Sequence, residues 1–167
     1  MINGKPKFSQ DVPALITSHS ASALLLSCLD YRFLNRISNF MDSKGYRDNY
    51  DHFILAGASL GLDQEVVPNG SAWQRTWWDH LDIASRLHQI KRVIIVDHSD
   101  CGFYHELLGF DNTVEDLATP NIIPMKEIDI HSKYLRQAYR LIREKYPQLE
   151  VELYIIGLKE NVRQITP

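Results

Sequence analysis

A chain of 167 residues, 44% hydrophobic and 23% charged, has the length and apolar content to bury one core, so a single domain over residues 1–167 is expected. Its net charge is −3 and its 18 basic residues are scattered, which leaves no basic stripe for nucleic acid. The longest apolar runs, 21–27 and 93–96, are too short to span a bilayer, and no charged-then-apolar leader opens the chain; a cytoplasmic protein with no membrane partner is expected.

In chain order, Ala23–Ser27 is a short apolar run bounded by polar residues, which suits a buried strand. Phe33, Ile37, Phe40 and Met41 then recur at helical spacing, and Gly45 ends that helix. His52–Leu55 predicts a second strand, running into the turn Ala56-Gly57-Ala58-Ser59. Past Pro68, Asn69 and Gly70, the pair Ser71 and Gln74 has the form of a capping box, and Trp73, Trp77, Leu81, Ala84 and Leu87 mark one helix face. With Trp78, these tryptophans are expected to serve core or subunit packing rather than a binding platform. Val93–Val96 is β-branched without alternation, as in a central parallel strand covered on both sides. After a segment broken by Pro120 and Pro124, Ile128, His131, Leu135, Ala138 and Ile142 form another helical stripe, and Val151–Ile156 is the fourth strand. Strands alternating with helices predict an α/β fold: an open, mainly parallel four-stranded sheet of order 2-1-3-4 flanked by helices.

In that order a crevice opens at the carboxyl ends of strands 1 and 3, and both are followed by reactive side chains. Cys28-Leu29-Asp30-Tyr31-Arg32 follows the first, and His98-Ser99-Asp100-Cys101-Gly102 follows the third. If the chain stays extended past strand 1, Cys28, Asp30 and Arg32 project to one side. His98 and Cys101, three apart at a helix start, would share a face, with the helix N-terminus favouring the Cys101 thiolate. A chain of this size needs no disulfide staple, so the only two cysteines are better explained as reduced thiolates. Two thiolates and one imidazole suit zinc, and three protein ligands leave a tetrahedral ion one position short, which distinguishes a catalytic site from a closed one. Asp30 is the conditional fourth ligand. On the metal it closes the site; paired with Arg32 it leaves room for water.

Taken singly, Cys28 could be a buried small hydrophobe, Asp30 and Arg32 a surface ion pair, and His98 a core histidine. Their joint placement with Cys101 favours a metal site. Other residues carry two readings each. Ala56 and Gly57 are candidates for the substrate wall or form a plain turn, and Asp97 and Asp100 either support the ligands or are ordinary loop carboxylates. His105, one helical turn beyond Cys101, is a candidate proton shuttle, whereas His19, His52, His80, His88 and His131 are scattered and expected to be mostly solvated.

The pattern C-x-D-x-R followed at this distance by H-x-x-C-G resembles the β-class carbonic anhydrases. The likeness covers roughly residues 20–105 and, more loosely, 153–157. It implies Zn2+ on Cys28, His98 and Cys101, a catalytic dyad of Asp30 and Arg32, and reversible hydration of carbon dioxide to bicarbonate by a zinc-bound hydroxide: a zinc lyase, carbonate dehydratase. The chain departs from the family where members carry Arg-Asn-Ala-Gly-Asn and this chain has Ile54-Leu55-Ala56-Gly57-Ala58. Few residues precede the first strand, and 103–127 carries no family motif, so the chain resembles a divergent, short member. Two thiolates cancel the ion's charge and weaken it as a Lewis acid, so activity is expected to rise with pH. Three alternatives remain open: a related zinc hydrolase of carbonyl sulfide or carbon disulfide, a noncatalytic zinc protein with Asp30 closing the site, and a dithiol redox module, which lacks a C-x-x-C pair. A short sheet with exposed edges and an aromatic helix predicts a homodimer or higher homo-oligomer.

Overall fold

The computed structural model describes residues 19–109, 123–159 and 161–167. Four strands are parallel: β1 (Ala23–Ser27), β2 (Tyr50–Ile54), β3 (Arg92–His98) and β4 (Glu150–Ile156). A fifth, β5 (Val162–Ile165), runs antiparallel to β4, and the sheet order is β2-β1-β3-β4-β5. The expected order 2-1-3-4 is present with one strand added at its edge. Val162-Arg163-Gln164-Ile165 has polar residues at its two middle positions and three exposed residues, so neither an apolar run nor alternation announces it. Pairing with β4 defines it instead.

Among the described residues, the α-helices are α1 (Leu34–Ser43), α2 (Gly70–Ile83), α3 (Gly102–Leu108) and α4 (Met125–Lys145). Alternation along the strands divides the core into two layers. Leu24, Leu26, Val93, Ile95, Leu153 and Ile155 pack with Trp77 and Leu81 of α2 and with Leu135 and Ile142 of α4. On the opposite face Ala23, Leu25, Ile94, Val96 and Ile156 pack with Phe33 and with Ile37 and Met41 of α1. Covered on both faces, β1 is buried at all five positions, which explains its unbroken apolar run. Trp77 is fully buried, Trp73 stacks on Phe103 and Trp78 on Tyr146, so the tryptophans are packing residues.

Helix α2 starts earlier than the capping box predicts. Its N-cap is Asn69, with φ 60° and no side-chain cap bond, and Gln74 instead donates to the Leu62 carbonyl. Gly70 explains the start: a Cβ there would lie 2.6 Å from the Asp63 carbonyl, so close backbone packing sets the helix entry. Pro120 lies outside the described residues. Among those described, no helix is long and apolar enough to cross a membrane.

The chain from β1 passes to α1 on one face, while the chain from β3 passes to α3 and α4 on the other. Their carboxyl ends therefore diverge into a crevice at a topological switch point.

Candidate metal centre

Cys28 is the first residue after β1, His98 the last of β3, and Cys101 the N-cap of α3. All three are buried, and their ligand atoms lie within 4.8 Å of one another. This convergence does not come from a shared helix face, as the spacing of His98 and Cys101 suggested. His98 is still in the strand, and Asp100, with φ 55°, turns the backbone so that Cys101 comes back beside it. Nor does the chain stay extended after Cys28. Asp30 caps a 3-10 turn at Tyr31–Phe33, its Oδ1 accepting the Arg32 N–H at 2.9 Å, and that turn, rather than strand alternation, brings Arg32 back to Asp30.

The donor set fits zinc. Cys28 Sγ and Cys101 Sγ are 3.9 Å apart, and with Zn–S bonds of about 2.3 Å a tetrahedral site spaces its sulfurs roughly 3.8 Å apart. His98 Nδ1 lies 2.8 Å from the Ser99 carbonyl, which can only accept, so this nitrogen carries the proton and Nε2 offers its lone pair. That Nε2 is buried and has no hydrogen-bond partner. A stacked Phe33 ring, 4.1 Å away between centroids, holds the imidazole plane.

The two thiols behave as a pair. The contact with Cys101 lowers Cys28 to about 4 against the opposing effect of burial, and Cys101 is raised by Cys28 and by its own burial. Backbone N–H groups of Phe103 and Tyr104, at the start of α3, favour the Cys101 thiolate, against the opposing effects of Cys28 and burial. Burial opposes charge on His98, yet the Cys28 thiolate raises it overall. A metal needs both sulfurs as thiolates, so loading releases the proton the pair shares.

Arg32 grips Asp30 through Nε and Nη2, with Nη2 2.7 Å from Oδ2. Burial works against ionisation of Asp30, but these bonds prevail and hold it below the usual carboxylate range. Its Oδ2 stands 3.9 Å from His98 Nε2, beside the ligand cluster and not within it. A cavity of about 620 Å³ opens over the cluster, walled by Leu29, Asp30, Arg32, Ala56, Phe103 and Glu106. Ala56 thus faces the cavity. Gly57 is buried behind it and gives its N–H to Cys28 Sγ at 3.3 Å. At φ 67°, a Cβ on Gly57 would lie 2.6 Å from Phe103 Cδ1. Gly57→Ala is therefore expected to lower stability by about 1–3 kcal/mol through overpacking and backbone strain. Urea unfolding checks this, and an unchanged midpoint would refute it.

Several supporting residues were not distinguished by sequence. Asp97, 1% exposed, accepts from Ser59 N–H (3.1 Å), Ser59 Oγ (2.6 Å), Tyr104 OH (2.8 Å) and His131 Nδ1 (2.9 Å). His131, one of the scattered histidines expected to be mostly solvated, is fully buried, because the apolar stripe on which the sequence also places it faces the sheet. Glu127, one turn earlier and equally buried, accepts the Asp100 N–H at 2.8 Å. The available signal was an acidic residue at the end of an otherwise apolar strand, together with a glutamate and a histidine four apart on a buried helix face. His105 Nε2 lies 3.7 Å from Asp100 Oδ1.

This mostly parallel sheet, flanked by helices, has the β-carbonic anhydrase-like α/β fold. The chain is similar to the β-carbonic anhydrase isoform I of Trichomonas vaginalis, with TM-score 0.57 and 17% identity, covering 93% of this chain and 87% of that one. It is also similar to a carbonic anhydrase from Glaciozyma antarctica, with TM-score 0.54 and 16% identity, covering 93% and 88%. At such identities the likeness establishes fold alone. The family model described as "Putative carbonic anhydrase" matches residues 18–166, and the chain belongs to that family. An uncharacterized protein of Rickettsia bellii is 36% identical over 151 residues, covering 90% of this chain and 85% of its own.

Proposed function

We propose that this protein is a zinc-dependent carbonic anhydrase that hydrates carbon dioxide reversibly to bicarbonate, with Cys28, His98 and Cys101 holding the metal. The observation that carries the proposal is a buried Cys–His–Cys set with Asp30 held beside it, but off it, by Arg32. When bound, zinc supplies a Lewis acid that makes water ionise far more readily than in bulk. The chain's own residues do the rest. Asp30, kept ionised by Arg32, accepts a hydrogen bond from the reacting water and orients it. Leu29, Ala56 and Phe103 present an apolar wall against which an uncharged linear molecule can lie. Leu29 and Tyr31, 60% and 82% exposed at the cavity rim, support a homodimer or larger assembly.

The deciding experiment is carbon dioxide hydration by the zinc-loaded protein across pH. Turnover is expected to increase from mildly acidic to alkaline pH, because two thiolates weaken the Lewis acid; a flat profile would contradict the pH argument, and no turnover at any pH would favour a noncatalytic zinc protein. Arg32→Ala should retain zinc while turnover falls by about 100-fold, as Asp30 leaves its productive position. Undiminished turnover in that variant would refute the dyad. The apolar wall also supports a second reading, hydrolysis of carbonyl sulfide or carbon disulfide, and parallel assays with those substrates separate the two.

A further inference from the structure

Building on the proposed role of Arg32 in keeping Asp30 off the metal, we infer that Asp100 and Glu127 are positioning residues that decide whether the metal site stays open. Asp100 lies between the ligands His98 and Cys101 in a left-handed conformation, φ 55°, that a non-glycine residue adopts only at an energetic cost. All three of its polar functions are engaged. Its N–H goes to Glu127 Oε1 (2.8 Å), its carbonyl accepts from Arg32 Nη2 (2.8 Å), and its Oδ2 accepts from Arg32 Nη1 (2.7 Å).

Arg32 is consequently held by two carboxylates of different kinds. Nε and Nη2 face Asp30, which must stay put, and Nη1 faces Asp100, which is built into the ligand turn. A guanidinium bound to Asp30 alone could swing with it toward the metal as one unit. The bonds to Asp100 tie that unit to the protein body. Glu127 secures the anchor in turn: it is fully buried, projects from the first turn of α4, and satisfies the N–H that the left-handed turn points inward. The adjacent His131, bonded to Asp97 on the other side of His98, makes α4 the common support for both flanks of the ligand turn.

The test uses the full chain loaded with cobalt(II), whose visible spectrum reports coordination, titrated with azide as a probe of the open position. Glu127→Ala should weaken azide binding by about tenfold or more, the scale seen when a partner supporting a metal ligand is removed. Glu127→Gln should restore parental binding, since its amide oxygen can accept the same N–H. Asp100→Gly, which suits the left-handed turn but lacks the carboxylate, should close the site like Glu127→Ala and does not depend on that variant folding. Zinc-free unfolding midpoints, measured alongside, separate site closure from general destabilisation. Weakened azide binding in Arg32→Ala with parental binding in Asp100→Gly would overturn this inference alone. So would a Glu127→Gln protein as impaired as Glu127→Ala. Parental azide binding in Arg32→Ala would instead overturn the dyad reading on which the inference rests.

Discussion

Cys101→Ser is expected to reduce zinc from one ion per chain to a trace and carbon dioxide hydration to background. A serine hydroxyl stays protonated where a thiol becomes a thiolate, so the site loses one anionic ligand directly. With Cys28 and His98 alone the site keeps too few ligands to hold zinc tightly. The fold itself should survive, because the buried sulfur is a small part of a core built from both faces of the sheet. Elemental analysis after purification and circular dichroism of the variant check both halves. A folded variant holding stoichiometric zinc would refute the assignment of Cys101.

Asp97→Ala is expected to produce the largest loss of stability, about 3–5 kcal/mol, by removing the shared acceptor of a fully buried network. Ser59, Tyr104 and His131 would each lose a partner where water cannot replace it. Asp97→Asn should recover only part of this, since its amide group places a donor among donors. Asp82→Ala on exposed helix surface, where the aspartate is 63% exposed, serves as the comparison and should stay within about 0.5 kcal/mol. Urea unfolding of the zinc-free proteins gives the values directly, keeping metal binding out of the measurement. A loss below about 1 kcal/mol would mean that the network is dispensable. The same variant should also loosen the end of β3, so zinc affinity is expected to fall with stability.

The contrast between these two predictions reflects what was legible before the fold was known. Cys28, His98 and Cys101 were recognisable as one set because each lies just past an apolar run, and the order of parallel strands brings those ends together. Asp97 and Asp100 were visible as candidates but not distinguishable from ordinary loop carboxylates. Their partners, Glu127 and His131, lie 27 and 34 residues downstream on another helix. Side-chain contacts over that separation leave no local periodicity. Strand β5 escaped notice for a similar reason, since its polar middle gains its meaning only from the β4 edge it covers.

Local pattern alone determined the elements with a buried face and the candidate ligand types, because burial on one or both faces imposes periodicity and apolar runs on the sequence itself, and the general rules of parallel sheets supplied the order of the four parallel strands. Tertiary structure alone decided how the ligands meet. The turn capped by Asp30 and the left-handed Asp100 replaced the extended strand and shared helix face that spacing suggested. Each of these depends on groups brought within a few ångströms by the fold. Hydrogen bonding and desolvation act through space, and residues distant in sequence therefore set the charge and conformation of the site.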